Sequence, residues 1–177
     1  INDHTNYIAR EDFDEIIKLG KKRNIKIIGD SAESFGAIYK NKKVGSQVDA
    51  HSFSFFANKN LTMGEGGLVT TNDDEIAKKC KLFRNQGQRE RYEHIIIGNN
   101  YRLNDYSAAF GIVQLSKIEW VMKEKNIAAE LYNNHFENHK YIKKPFIPEY
   151  VSRHSWYMYS IILDEKIERK KIIDYLA

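Results

Sequence analysis

Cysteine, proline and long apolar runs are all scarce in this sequence of 177 residues. The single cysteine, Cys80, excludes an internal disulfide, and its spacing from neighbouring apolar residues predicts a buried thiol. No apolar run approaches the roughly 18 residues of a membrane span, and no stretch has the pattern of a secretory signal. We therefore expect a cytoplasmic protein with no membrane partner.

Blocks of a single charge are also missing. The chain has 28 basic and 24 acidic residues, and its formal net charge is only +4. Basic and acidic residues alternate, as in EDFDEIIKLGKKR, which is typical of a solvated surface rather than of a nucleic-acid-binding stripe. The hydrophobic content of 42% is enough for a packed core. We expect a globular protein without a nucleic-acid partner.

The apolar periodicity predicts helices and short strands in alternation, which is typical of an α/β protein with a parallel sheet. The predicted helices are Glu11–Arg23, one capped by Asn72–Glu75 with Glu75 in a capping box, Asp105–Lys117, Ile118–Asn138 and one from Glu165. The predicted strands are Ile25–Gly29, which is apolar enough for burial on both faces, a hairpin over 37–44, Ala50–Phe56, Leu68–Thr71 and Trp156–Leu163. The stretch Asn85–Asn104 predicts a long functional loop. Because the sequence begins without methionine and ends inside a helical pattern, we expect a fragment of a longer protein.

The segment SFSFFANKNLTMGEGG places Lys59 between an apolar strand and a glycine-rich turn. Taken alone, Lys59 is an ordinary surface charge, and Ser54 is either a satisfied hydroxyl or an anion contact. Asp30 follows another apolar strand, where it either caps the next turn or lies at a ligand site. An aspartate, a serine and a lysine at strand ends together suit pyridoxal phosphate, whose aldehyde, ring nitrogen and phosphate these groups can bind.

Three stretches, DSAESFGAIYKNKKVGS, FSFFANKNLTMGEGGLVTTND and GNNYRLNDYSAAFGIVQL, resemble the DegT/DnrJ/EryC1/StrS family of sugar aminotransferases in order and spacing. FFANK and GNNYRL resemble the perosamine-synthase-like members. The resemblance implies an aspartate-aminotransferase-type fold, with a three-layer α/β large domain, a mostly parallel sheet and a small α+β C-terminal domain. Residues 1–118 would form the latter part of the cofactor-binding large domain. Residues 119–177 would form a linking helix and the start of the small domain.

The resemblance also implies roles for particular residues. Asp30 would pair with the pyridine nitrogen of pyridoxal phosphate, Ser54 would bind its phosphate and Lys59 would be the catalytic Schiff-base lysine. Glu33 would lie near the cofactor ring, and Asn100 would reach the phosphate in the neighbouring subunit.

Three further residues belong to the same comparison. Arg102 stands beside Asn100, and both either serve the cofactor or order a long loop. His154 resembles a small-domain histidine near the sugar, and otherwise packs beside Trp156. Tyr92 either lines the sugar site or lies on a solvated loop.

The implied reaction transfers an amino group, from an amino-acid donor such as glutamate, to a nucleotide-linked 4-keto-6-deoxy sugar for surface polysaccharide or glycan synthesis. The implied assembly is a homodimer with shared active sites. Lys59 argues against the related dehydratases, which carry histidine there.

Two features depart from the family: Gly29 stands where an acid is common, and nothing in the chain supplies the Gly-Thr phosphate-binding turn or the stacking aromatic. The alternative interpretations are a catalytically silent dimerisation or regulatory module on the same scaffold, an incomplete fragment of the enzyme, and an anion-binding protein.

Overall fold

The computed structural model describes residues 13–177, and its helices and strands follow an α/β order. The helices are α1 (Phe13–Arg23), α2 (Asp74–Arg84), α3 (Asp105–Ser116), α4 (Ile118–His135) and α5 (Arg169–Leu176). The strands are β1 (Ile28–Asp30), β2 (Ile38–Tyr39), β3 (Lys42–Lys43), β4 (Ala50–Ser54), β5 (Gly67–Thr70), β6 (Gln88–Glu90), β7 (Glu93–His94), β8 (Ile142–Lys143), β9 (Val151–Arg153) and β10 (Ile162–Leu163). The predicted start of the first helix, Glu11, lies outside the described residues.

The central sheet has the strand order β1-β4-β5 and is mixed. Strand β1 runs parallel to β4, with Asp30 opposite Ser52, whereas β5 runs antiparallel to β4, with Gly67 opposite Ser54. Because parallel strands end at the same edge of a sheet, Asp30 and Ser54 lie at one edge, where α/β sheets commonly bind ligands.

One face of this sheet is packed and the other is open within residues 13–177. On the packed face, the His51 ring lies 6.5 Å from Phe13 of α1. On the opposite face, Ile28 is 62% exposed and Val69 is 49% exposed. The predicted burial of the first strand on both faces is therefore wrong for the described residues, because α1 covers one side only.

The predicted hairpin over 37–44 is present as β2 and β3. Its connecting residues Lys40 and Asn41 both have positive φ angles, of 45° and 62°, as a tight hairpin turn requires. Strand β9 adds to the other edge of β2, so a segment from the last third of the chain completes this small sheet.

Helix α2 begins one residue later than its predicted capping box requires. Its N-cap is Asp73, whose side chain accepts hydrogen bonds from the backbone N–H groups of Glu75 and Ile76. Glu75 therefore sits in the first turn and not at the capping-box position, which is three residues after the cap. Cys80 on this helix is half-buried, so its predicted burial is only partial.

The predicted strand Trp156–Leu163 is wrong over most of its length, since only Ile162–Leu163 pairs, with β8. Trp156 has a positive φ of 45°, and its backbone N–H donates to Nδ1 of His154 at 2.9 Å. This local turn prevents an extended ladder. The predicted loop Asn85–Asn104 likewise contains the β6–β7 hairpin.

The predicted domain boundary after residue 118 falls at the junction of α3 and α4 and stays a prediction. Within residues 13–177, no helix is both long and apolar enough to cross a bilayer.

Burial lowers the pKa of the His51 imidazole below its usual value of 6.5. The unfolded chain then binds more protons than the folded one in mildly acidic solution, so the free energy of unfolding falls as the pH drops through that usual value. We expect this fall, between about pH 8 and about pH 5, to be steeper in the wild type than in His51→Asn. Urea denaturation at several pH values measures the free energy of unfolding of both proteins. Parallel plots of this free energy against pH would contradict the expectation.

Candidate functional site

Lys59 lies on a compact loop that follows β4. Its backbone N–H donates to the carbonyl of Phe56 at 3.0 Å, which closes a turn around the lysine. Phe55 N–H donates to Gly66 O at 2.9 Å, and Met63 N–H donates to Phe55 O at 2.8 Å, so the loop returns onto its own stem. Because these bonds join both ends of the loop, the position of the Lys59 backbone is fixed relative to the sheet.

The Lys59 side chain is enclosed rather than displayed on the surface, with only 13% of it exposed. Its Nζ lies 3.6 Å from Oε1 of Glu33, and the Glu33 side chain is 14% exposed. The same Nζ lies 4.2 Å from the centre of the Tyr157 ring. Lys59 is therefore not an ordinary surface charge and lies beside Glu33, whereas the roles of both residues at a cofactor stay predictions.

Asp30 and Ser54 lie at the sheet edge from which the Lys59 loop emerges. Asp30 Oδ1 accepts a hydrogen bond from Ala32 N–H at 3.1 Å, so the turn-capping interpretation is realised at that oxygen and fixes the carboxylate. Ser54 Oγ accepts from Phe56 N–H at 3.3 Å, which leaves its hydroxyl proton available for donation. Asp30 and Ser54 project from the same face of the sheet, since Asp30 pairs with Ser52 and Ser54 is two positions farther along β4.

Gly29, beside Asp30, has no room for a side chain because the His51 ring occupies the space beside it. A Cβ at this position would lie 2.6 Å from Nδ1 of the buried His51 ring, which is too close for any other residue. The His51 ring is held in place by Ser31 Oγ, 2.8 Å from Nδ1. An acid at position 29 would therefore require a smaller residue at position 51.

The segment Arg153–Tyr157, which we call the docking segment, closes the site from the C-terminal part of the chain. The hydroxyl of the fully buried Ser155 donates to Glu33 O at 2.7 Å, and Asn60 Nδ2 donates to Ser155 O at 2.6 Å. Arg153 Nε donates to Gly36 O at 2.7 Å. The docking segment thus fastens the two loops that carry Glu33 and Lys59 to each other.

Helix α3 supports the Lys59 loop from behind. Gly111, the one buried residue of this helix, leaves room for the Met63 side chain, which a Cβ at Gly111 would overlap. Met63 in turn packs against the apolar cluster of Phe53, Phe55 and Leu61 beneath the loop. Gly111 therefore permits the close approach of α3 to the Lys59 loop.

His154 is 5% exposed and packs against Trp156, with the ring centres 4.2 Å apart. Its Nδ1 accepts from the Trp156 N–H. This geometry favours the packing interpretation of His154, and its role near a sugar stays a prediction.

Asn100 and Arg102 lie together on an exposed loop. Arg102 Nη1 donates to Asn85 Oδ1 at 2.7 Å, and Asn100 forms an isolated bridge with Asn85. Arg102 lines a groove of about 900 Å³ beside α2. The other basic residues of this groove are Lys78, Lys81, Arg84 and Arg89. Both residues order the loop, and the groove that Arg102 borders is rich in positive charge.

Tyr92 is 76% exposed at the tip of the β6–β7 hairpin. Arg91 lies over its ring at 5.1 Å and donates to its hydroxyl at 3.2 Å. Tyr92 is thus a solvated residue at the tip of its hairpin, and its contact with a sugar stays a prediction.

Sequence reasoning missed Tyr157 and Ser155. Both belong to HSWYMYS, whose alternating aromatic residues favour a strand, so the turn at Trp156 that aims Tyr157 at Lys59 was not predictable. Within residues 13–177, no group of His, Cys, Asp and Glu side chains is arranged to hold a metal ion. The polar groups at and beside the sheet edge are an amine, two carboxylates and a hydroxyl, a set that suits an aldehyde- and phosphate-bearing cofactor.

Comparisons with known proteins agree with this geometry. A sequence model of the DegT/DnrJ/EryC1/StrS aminotransferase family matches residues 8–177. GDP-perosamine synthase of Escherichia coli O157:H7 is 37% identical over 94% of this chain and 45% of its own length. Thus the chain spans about half the length of the curated relatives it matches.

Solved structures show the same fold. Helicobacter pylori PseC, an aminotransferase involved in the biosynthesis of pseudoaminic acid, superposes with a TM-score of 0.86 at 33% identity, covering 97% of this chain and 47% of PseC. The E. coli GDP-4-keto-6-deoxy-D-mannose-3-dehydratase with bound hydrated PLP has a TM-score of 0.83 at 28% identity, covering 93% and 47% of the two chains. These likenesses confirm the predicted α/β fold class.

Asn60→Ala removes the amide that donates to the buried Ser155 carbonyl, so this buried hydrogen bond is lost. We expect the free energy of unfolding to fall by about 1–3 kcal/mol. Asn134→Ala, at an exposed position of α4, is the matched control and should change it by less than about 0.5 kcal/mol. Urea denaturation compares the two, and equal effects would show that the Asn60–Ser155 bond contributes no special stability.

Proposed function

The chain belongs to the DegT/DnrJ/EryC1/StrS aminotransferase family. We propose that it carries the lysine-bearing part of a pyridoxal-phosphate-dependent sugar aminotransferase. The enclosure of Lys59 beside Glu33 is the observation that carries the proposal. A solvated surface lysine would have no reason to be held 3.6 Å from a carboxylate that is itself nearly buried.

The residues at the sheet edge fit the cofactor by their chemistry. Asp30 offers an anionic oxygen at the end of β1, suited to the protonated ring nitrogen of pyridoxal phosphate. Ser54 offers a hydroxyl donor at the end of the adjacent parallel strand, suited to a phosphate oxygen. Lys59 offers a primary amine on the loop that follows, suited to covalent attachment of an aldehyde. When bound, the cofactor supplies an electron sink for the carbon that gains or loses nitrogen.

The protein residues then bind, orient and carry protons. The Lys59 amine would hold and move a proton at Nζ, between the substrate carbon that bears nitrogen and the adjoining cofactor carbon. Glu33 holds the charged form of the lysine between steps, because its carboxylate attracts the ammonium. Asp30 keeps its orientation because Ala32 N–H donates to it. The amino donor is proposed to be glutamate, and the acceptor a nucleotide-linked 4-keto-6-deoxy sugar.

Asn100 and Arg102 are proposed to serve a second subunit. Their exposed loop borders the basic groove beside α2, and positive charge of this kind suits a phosphate group. The assembly proposed here is a homodimer in which each subunit contributes these residues to its partner's cofactor site. Tyr92 and His154 are proposed as sugar contacts of that assembled site.

Covalent trapping tests the proposal directly. The complete natural polypeptide, mixed with pyridoxal phosphate and reduced with borohydride, should carry the cofactor on Lys59, as read by peptide mass spectrometry. Lys59→Ala should lose both the adduct and the absorbance of the lysine-bound cofactor, because it removes the amine that is enclosed beside Glu33. Lys140→Ala, which removes an exposed lysine, is the control and should retain both. Absence of any adduct on wild-type Lys59 would overturn the proposed function.

Asp30→Asn separates binding from turnover. The adduct on Lys59 should persist, because Asp30 is not the attachment point, whereas the rate of amino transfer should fall by at least about a hundredfold. Stopped assays of sugar amination with glutamate measure the rate. An unchanged rate would show that Asp30 acts only as the cap of its turn.

A further inference from the structure

The Lys59 pocket has a wall that no sequence motif indicates. Resting on the proposed function, we infer that Tyr157 is a positioning residue for Lys59: its ring and the Glu33 carboxylate together hold the lysine while it is charged and release it when it is neutral. The aromatic face attracts the ammonium through its quadrupole, and Nζ lies 4.2 Å from the ring centre, well within the range of this interaction.

Both attractions depend on the charge of Lys59. The carboxylate of Glu33 attracts the ammonium by Coulomb's law, and the Tyr157 ring attracts it as a cation over an electron-rich face. A neutral amine loses most of both attractions at once. Because only 13% of the lysine side chain is exposed, water competes weakly for the ammonium. The pocket therefore holds the charged form of Lys59 in place and only weakly restrains the neutral amine, which is the nucleophilic form.

The Tyr157 ring is placed by hydrogen bonds of the docking segment and not by its own hydroxyl. Ser155, two residues earlier, binds both the Glu33 carbonyl and the Asn60 side chain. Trp156 has a φ of 45°, which turns the chain so that Trp156 faces α4 and Tyr157 faces Lys59.

Helix α4 holds the far side of this turn. Lys125 Nζ donates to Trp156 O at 3.1 Å, and Trp156 Nε1 donates to Asn126 Oδ1 at 3.3 Å. The Tyr159 hydroxyl donates to Asn133 Oδ1 at 2.8 Å. The docking segment and Tyr159 thus anchor this part of the chain to α4 and to the loops that carry Glu33 and Lys59, and these bonds fix the backbone that carries the Tyr157 ring.

The test compares side chains with and without an aromatic face at position 157. In the complete natural polypeptide without added cofactor, acetic anhydride acetylates free amines, and mass spectrometry gives the rate at Lys59 relative to the exposed Lys123 of α4. Wild-type Lys59 should react more slowly than Lys123. Tyr157→Leu should raise the Lys59 rate by about fivefold, whereas Tyr157→Phe, which keeps the ring, should stay within about twofold of the wild type.

Tyr141→Leu is the matched control, because the Tyr141 ring also lies over a lysine, Lys140, at 5.1 Å but away from the pocket. It should leave the Lys59 rate unchanged. If the Leu and Phe variants at position 157 give equal acetylation rates at Lys59, the aromatic face plays no part in holding the lysine and the inference is wrong. If Tyr157→Leu lowers the melting temperature, Tyr157→Met provides the same comparison in a folded protein. A wild-type Lys59 that reacts as fast as Lys123 also overturns the inference.

Failure of the Tyr157 inference is distinguishable from failure of the proposed function. A protein that shows the Tyr157 effect on acetylation but no cofactor adduct on Lys59 would retain the pocket and lose the aminotransferase assignment. The reverse result, an adduct without any Tyr157 effect, would retain the enzyme and remove the positioning role.

Discussion

The enclosure of Lys59 depends on Ser155, whose hydroxyl and carbonyl bind the two loops that carry Glu33 and Lys59. The hydroxyl donates to the carbonyl of Glu33, and the carbonyl accepts from Asn60, next to Lys59. A buried polar group without its partner is costly, so each bond favours a single arrangement of the segments that it joins. Glu33, Lys59 and Tyr157 belong to segments that are far apart in sequence, and their meeting follows from this one fully buried serine.

The parallel pairing of β1 with β4 is the second constraint. It brings Asp30 and Ser54 to a common sheet edge, and the loop that follows β4 carries Lys59 to the same region. The packed face of the sheet is filled by His51 and Phe53, and the requirement for Gly29 follows from that packing. The arrangement of polar groups at the edge is thus a consequence of which residues fill the space beneath it.

The sequence predicted the elements whose signals are local. The hairpin, the strand before Lys59 and the cap region of α2 were all close to their observed positions, and Asp30, Glu33 and Lys59 were singled out by motif. The turn at Trp156 was missed because an alternating aromatic run favours a strand, and only packing against α4 reverses that preference. Tyr157 lies in the same aromatic run and was missed with it. Its contact with Lys59 joins residues almost a hundred positions apart, and such a contact leaves no periodic pattern in a single sequence.

The pairing of β9 with β2 has a consequence for the order in which the molecule assembles. Asn41 N–H donates to Ser152 Oγ across 111 residues, and Ser155 reaches Glu33 across 122. Closing chain loops of this length costs conformational entropy before the contacts can compensate, so such pairings form late relative to local hairpins and helices. The sheet edge with Asp30 and Ser54 can form while the chain is still growing, whereas Lys59 gains its aromatic wall only after the docking segment has been synthesised.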